Sequence, residues 1–129
     1  MNDVCYSLSD LATSGDYGTL ARLAEGKGVV VEFGSFIGGS ALAMLPIIKR
    51  DGGHLYCVDH FQGNHDDPAT NYPRSVIMGA FFQRTEEYAD SMTVVVGGVD
   101  RFARVTGVGW ADMAFIDAGH SYQEVAQHI

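Results

Sequence analysis

A single α/β domain built on a parallel sheet is the fold class that these residues predict, and three observations predict it. Strand-like and helix-like segments alternate along the chain, which is the pattern of βαβ units. The run Val29-Val30-Val31 reads as a buried strand, closed by Glu32 and followed by glycines that turn the chain into an apolar helix. Finally, three of the strand-like runs end in an acid, at Glu32, Asp59 and Asp117, which is more than core packing requires.

Taken in order, residues 8–24 have helical spacing through Leu8, Leu11, Leu20 and Leu23, broken around Gly15. Residues 28–33 form the first strand. Residues 39–49 place Ala41, Leu42, Leu45 and Ile48 on one helical face, with Pro46 expected to kink the helix. Asp51-Gly52-Gly53 is a turn into the second strand, His54 to Asp59. Gln62 to Tyr72 is polar and reads as a loop, and residues 74–89 return to helical periodicity through Ile77, Met78, Phe81, Phe82 and Tyr88. Met92 to Val96 is the third strand, ended by Gly97-Gly98. A short helix over 99–106, a fourth strand from Asp112 to Asp117 and a last helix from near Ser121 complete the reading.

Composition bounds the function. A chain of 129 residues, 47% of them apolar, has the size and the burial for one domain, 1–129, around one core. Sixteen acids against eight bases leave a formal charge of −8, with no clustered Lys and Arg to take a nucleic acid or a membrane surface. The first twenty residues lack the pattern of a signal peptide, and no apolar stretch reaches the length of a membrane span. Cys5 and Cys57 form neither a disulfide framework nor a C-x-x-C pair. Cys57 is expected to be a small buried thiol, in a reduced cytoplasmic setting.

In open parallel sheets, ligands sit outside the carboxyl ends of the strands. Those ends carry Glu32 and Gly34, Asp59 and His60, Gly97 and Gly98, then Asp117 and His120. Asp59 closes the second strand 25 residues after Gly34, where an acid can accept two hydrogen bonds from ribose hydroxyls, of a dinucleotide or of another nucleoside cofactor. Asp117 and His120 lie three residues apart at a strand-to-helix turn, close enough to share one site; a histidine there also serves as an ordinary structural hydrogen-bonding group. His60, His65, Asp66 and Asp67 contain metal-ligand types but read more simply as a solvated loop.

The spacing Glu32-x-Gly34-x-x-x-Gly38-x-Ser40 resembles motif I of class I S-adenosylmethionine-dependent methyltransferases. It departs from the G-x-G-x-x-G of dinucleotide enzymes, because Phe36 fills the second glycine position. The stretch from Ala111 to Val125 resembles the F-I-D-G-D-H-S-Y-x-x-V of the macrocin O-methyltransferase-like and cephalosporin hydroxylase-like branch. Leu55 to Asp59 and Val94 to Gly98 resemble that branch's second and third strands. The resemblance covers roughly residues 25–129, in four motifs in the right order.

It implies a Rossmann-like three-layer domain with strand order 3-2-1-4, incomplete relative to the seven-stranded family fold. It also implies S-adenosylmethionine as cofactor and, as function, O-methylation of a small molecule. Glu32 would orient the methionine or ribose end; Gly34, Ser35, Gly38 and Ser40 would line the cofactor; Asp59 would bind the ribose diol. His60 or Phe61 would flank the adenine, with Gly98 and Val99 near it. Asp117 and His120 would form the acceptor-side catalytic pair, Asp117 as a base or as ligand to a divalent metal such as magnesium. The sulfonium is already an activated methyl donor, so the protein's task is to place donor and acceptor in line and deprotonate a hydroxyl.

Two departures stand out. Family members usually show Gly-Asp where this chain has Ala118-Gly119. The chain also ends at Ile129, after the fourth strand, so it reads as a truncated or short form lacking most of the acceptor half. From this follow a rival reading, a non-catalytic S-adenosylmethionine-binding or assembly module, and the expectation of a homo-oligomer formed through the fourth-strand edge.

Overall fold

The structure is a computed structural model that describes residues 14–62, 72–98 and 111–116. Four strands, β1 Val29–Phe33, β2 His54–Asp59, β3 Met92–Val96 and β4 Met113–Ile116, pair in parallel in the order β3-β2-β1-β4. Parallel neighbours need a crossover, and the described crossovers carry helices. Helix α1, Ser14–Ala24, precedes β1; α2, Gly39–Arg50, joins β1 to β2; α3, Arg74–Arg84, lies between β2 and β3. The expected strand order and Rossmann-like topology are those observed.

Strand residues alternate between the two faces of the sheet. On one face Val30, Leu55 and Cys57 share a core with Met44, Ile48 and Phe81 from the helices. On the other, Val31, Phe33 and Val58 form a second buried cluster. Burial of β1 on both faces is why its sequence is a continuous β-branched run rather than an alternating one. The register sets Phe33 beside Val58 and so brings Gly34 level with Asp59.

The strands begin where polar groups pin them. The carboxylate of Asp112, just ahead of β4, accepts the N–H groups of Gly28 (3.1 Å) and Val29 (2.9 Å). Asp112 is therefore a clamp on β1 rather than a residue of the fourth strand. At the same end of the sheet, ahead of β1 and β2, Arg50 bridges Asp51 (2.8 Å) and Glu25 (3.4 Å) on the surface.

One element expectation is corrected. The helix from Arg74 stops at Arg84 rather than continuing to 89, and Glu86–Ser91 forms 3-10 turns interrupted at Tyr88. The stop is local chemistry: the Thr85 hydroxyl donates to the Phe81 carbonyl at 2.8 Å, beside the Thr85 N–H that bonds the same oxygen. Helix α2 is continuous from Gly39 to Arg50 and holds Pro46 inside it, exposed on its outer side. Residues 8–13, the short helix over 99–106 and the last helix from near Ser121 lie outside the described residues.

Ile48 is fully buried and Leu23 is 54% exposed. Ile48→Ala should therefore lower the unfolding free energy by about 2–5 kcal/mol, and Leu23→Ala by less than about 0.5 kcal/mol. Urea titration of both variants checks this; equal losses would contradict the core described here.

Candidate functional site

The loop from β1 into α2 has the geometry that its glycines allow. Gly34 has φ 94° and Gly38 φ 92°, values that a side chain strains to adopt. Between them Phe36 also takes a positive φ, 45°, although it has a bulky side chain. The Gly34 N–H continues the ladder to the Val58 carbonyl (2.8 Å), the Gly38 N–H closes a turn on the Ser35 carbonyl (2.8 Å), and the Gly38 carbonyl accepts the Leu42 N–H (2.8 Å). Gly38 serves packing as well: a Cβ there would stand 3.3 Å from both Phe81 and Thr85 of the neighbouring segment.

Asp59 holds this loop. Its Oδ2 accepts the N–H groups of Ser35 (3.0 Å) and Phe36 (2.7 Å), and its Oδ1 accepts the N–H of Phe61 (3.1 Å). The carboxylate joins the end of β2 to the loop after β1 and stabilises the positive φ of Phe36 through a short, charge-assisted bond. The sequence placed an acid here for a ligand; it held no sign that backbone amides already use it.

Glu32 lies one layer deeper and has no exposed surface. Its Oε1 accepts the hydroxyl of Ser40, in the first turn of α2, and its Oε2 accepts the hydroxyl of Ser35 (3.5 Å) and the thiol of Cys57 (3.8 Å). A carboxylate can be buried when donors surround it, and the N-terminus of α2 adds a favourable partial charge. Burial, reinforced by the charge of Glu32, pushes the Cys57 thiol well above its ordinary pKa, so it stays protonated and can donate. Cys57 as a partner of Glu32 was missed from the sequence; only the register, which sets Glu32 against Cys57, reveals it.

The remaining expected site residues separate. His60 is exposed, and its Nδ1 accepts the Gln62 N–H at 3.0 Å. Phe61 is 1% exposed and its ring packs edge-on against Phe81 in the core, so of that pair His60 is the exposed residue. Gly98 is exposed beyond the end of β3, where the Gly97 N–H bonds the Asp59 carbonyl (2.9 Å). Val99, Asp117 and His120 lie outside the described residues, as do His65, Asp66 and Asp67. Among the described residues no group of three His, Cys, Asp or Glu side chains could hold a metal ion, and no helix is long and apolar enough to cross a membrane.

A four-stranded parallel sheet in this order, with a glycine loop clasped by the acid of the next strand, defines a Rossmann-like domain. A family model described as a methyltransferase domain matches residues 31–129, and the chain belongs to that family. Among solved structures it is similar to cofactor-bound Rv0187 from MTB, at 19% identity and a TM-score of 0.66 over 90% of this chain and 49% of that one. The SAH-bound methyltransferase PaMTH1 of Podospora anserina matches at 16% identity and TM-score 0.64, over 85% and 43%. TomG of Streptomyces achromogenes, an O-methyltransferase involved in tomaymycin synthesis and solved with SAM, matches at 21% and 0.61, over 88% and 50%. At these identities the likeness is one of fold, and the chain spans about half the length of the structures it matches.

Two outcomes follow from the loop. Gly38→Ala should cost about 1–3 kcal/mol from its φ and more from its contacts, whereas Gly26→Ala, with φ 75° and open space around it, should show the backbone cost alone. Thermal unfolding that ranks Gly26→Ala as the more damaging change would contradict the packing role. In a Cys5→Ser protein, Cys57 should resist a thiol reagent at pH 8 while folded and react fully in urea; rapid labelling of the folded protein would refute its burial.

Proposed function

We propose that this chain carries the cofactor-binding part of an S-adenosylmethionine-dependent methyltransferase that acts on a hydroxyl group of a small molecule. The observation that carries the reading is the clasp of Asp59 on the Ser35 and Phe36 amides at the carboxyl ends of β1 and β2. It occurs in a chain whose residues 31–129 match the methyltransferase-domain family. The fold likeness to TomG, itself an O-methyltransferase solved with SAM, supports the oxygen acceptor.

The donor set fits such a cofactor. Residues 32–40 and 57–62 contain two acids, Glu32 and Asp59, and no Lys or Arg. That balance suits a cationic sulfonium better than the pyrophosphate of a dinucleotide. The side chain of Asp59 is 13% exposed and keeps acceptor capacity on Oδ1, as recognition of a ribose hydroxyl needs. Gly34 and Gly38 leave the backbone open to close approach. When bound, the cofactor supplies a methyl group already activated for transfer.

In this reading the loop Gly34–Gly38 and the Ser40 hydroxyl take the amino-acid end of the cofactor. Glu32 orients Ser35 and Ser40 without touching the ligand itself. Asp59 takes the ribose, and His60, with Gly98 and Val99, borders the adenine. Asp117 and His120, at the end of the fourth strand, receive the acceptor hydroxyl and take up its proton. In this reading the work of the protein is placement.

Calorimetric titration tests the reading. S-adenosylmethionine and its demethylated product should bind with a stoichiometry of one, and NAD far more weakly; NAD binding more tightly than either would remove it. Asp117→Asn should leave cofactor affinity unchanged and lower turnover of a hydroxyl acceptor. Retained turnover would take Asp117 out of the chemistry, and cofactor binding without turnover by the unmodified chain would favour a binding module.

A further inference from the structure

Helix α3 is held to the sheet by Ile77 and Phe81, both buried, and turns its other side to solvent. That outer side carries Val76, 54% exposed, and Phe82, 46% exposed, with Ser75, Gly79 and Gln83 exposed around them. Between Arg74 and Arg84 the helix has no ionisable side chain, in a chain whose formal charge is −8. Phe82 stands edge-on to the buried ring of Phe81, with 5.5 Å between centroids, which anchors it from beneath. Gly79 lies in the middle of this exposed side. A glycine weakens a helix interior, and a Cβ at Gly79 would meet nothing within 4 Å, so packing inside this chain does not call for it.

We propose that this face of α3 pairs with the same face of a second copy of the chain, antiparallel about a two-fold axis through Gly79. Val76 and Phe82 stand three residues before and after Gly79, on opposite flanks of it. A two-fold axis there sets Val76 of each copy on Phe82 of the other, and Ser75 of each on Gln83 of the other. Every apolar side chain then meets an apolar one and every polar side chain a polar one, as an isologous contact requires. Gly79 faces Gly79 with no side chain between, which lets the helix axes approach closely enough for those contacts to form. Two copies that each carry −8 repel one another, and this face brings no charge into the contact. One helix pair is a small interface, below about 1,000 Å², so the dimer forms and dissociates with concentration instead of being obligate.

Sedimentation velocity of the full chain, from micromolar to near-millimolar concentration, tests the pairing. Wild type should pass from monomer to dimer, and a monomer at every concentration overturns the proposal. Val76→Lys and Phe82→Glu should each raise the dissociation constant by about 30-fold or more, as loss of a central anchor does. Mixed in equal amounts, these two variants should recover the dimer. The symmetry sets position 76 of one against position 82 of the other with opposite charges, and leaves the second Val76–Phe82 pair intact. Leu23→Lys, at a similarly exposed apolar residue on α1, should leave the equilibrium unchanged. Variants at Val76 and Phe82 that dimerise as well as wild type overturn the proposal and move the contact elsewhere, as to the β4 edge. A mixture no better than either variant alone, or equal weakening by Leu23→Lys, overturns it too. If circular dichroism shows a variant to be unfolded, oxidation of the double variant Cys5→Ser, Gly79→Cys decides. An intermolecular disulfide at position 79 supports the axis, since a bridge needs Cα atoms within about 7 Å, and its absence overturns it.

Discussion

The carboxylate of Asp59 ties together three pieces of chain at the carboxyl ends of β1 and β2. It ends β2, it accepts two amides of the loop that leaves β1, and it accepts the amide that starts the segment after β2. A positive φ at Phe36 costs on the order of 1–3 kcal/mol, and the 2.7 Å bond from its amide to a charged oxygen is what offsets that cost. The parallel register supplies the opportunity, because Phe33 beside Val58 sets the loop at the level of the acid. The loop conformation is therefore a property of two strands together and not of the glycines alone.

The two acids at the strand ends divide the work by depth. Asp59 keeps part of its surface exposed and one acceptor position open, whereas Glu32 is enclosed by Ser35, Ser40 and Cys57. Strand alternation explains the difference. Glu32 shares its face with Val30, beneath the helices, so its charge is matched to hydroxyl and thiol donors and to the N-terminus of α2. Cys57 fits this environment because a thiol is small, tolerates burial and remains protonated beside a carboxylate.

Gly38 shows how the loop is tied to the rest of the domain. Its φ makes the entry into α2, and its missing Cβ lets Phe81 and Thr85 approach from the end of α3. The same Thr85 ends α3 by bonding back to Phe81. One small residue and one hydroxyl thus couple the loop at the crevice to the helix that follows β2, and a change at either is felt at both.

The sequence by itself determined the parallel α/β class, the bounds of β2 and β3, and the place of Glu32, Gly34, Asp59 and Gly97 at the ends of their strands. These follow from local rules: β-branched runs make strands, glycines mark the turn, and an acid closes a strand against the polar rim. What each acid bonds to was decided only in the folded molecule. Nothing in the order of residues says that Asp59 would be claimed by the amides of Ser35, Phe36 and Phe61, or that Phe61 would pack into the core beside Phe81 while His60 stays outside. Asp112 likewise read as the first residue of a strand and proved to be a clamp on the start of β1, 83 residues away. Those outcomes depend on register between distant strands and on which donors burial leaves without water, and both are settled by tertiary contacts.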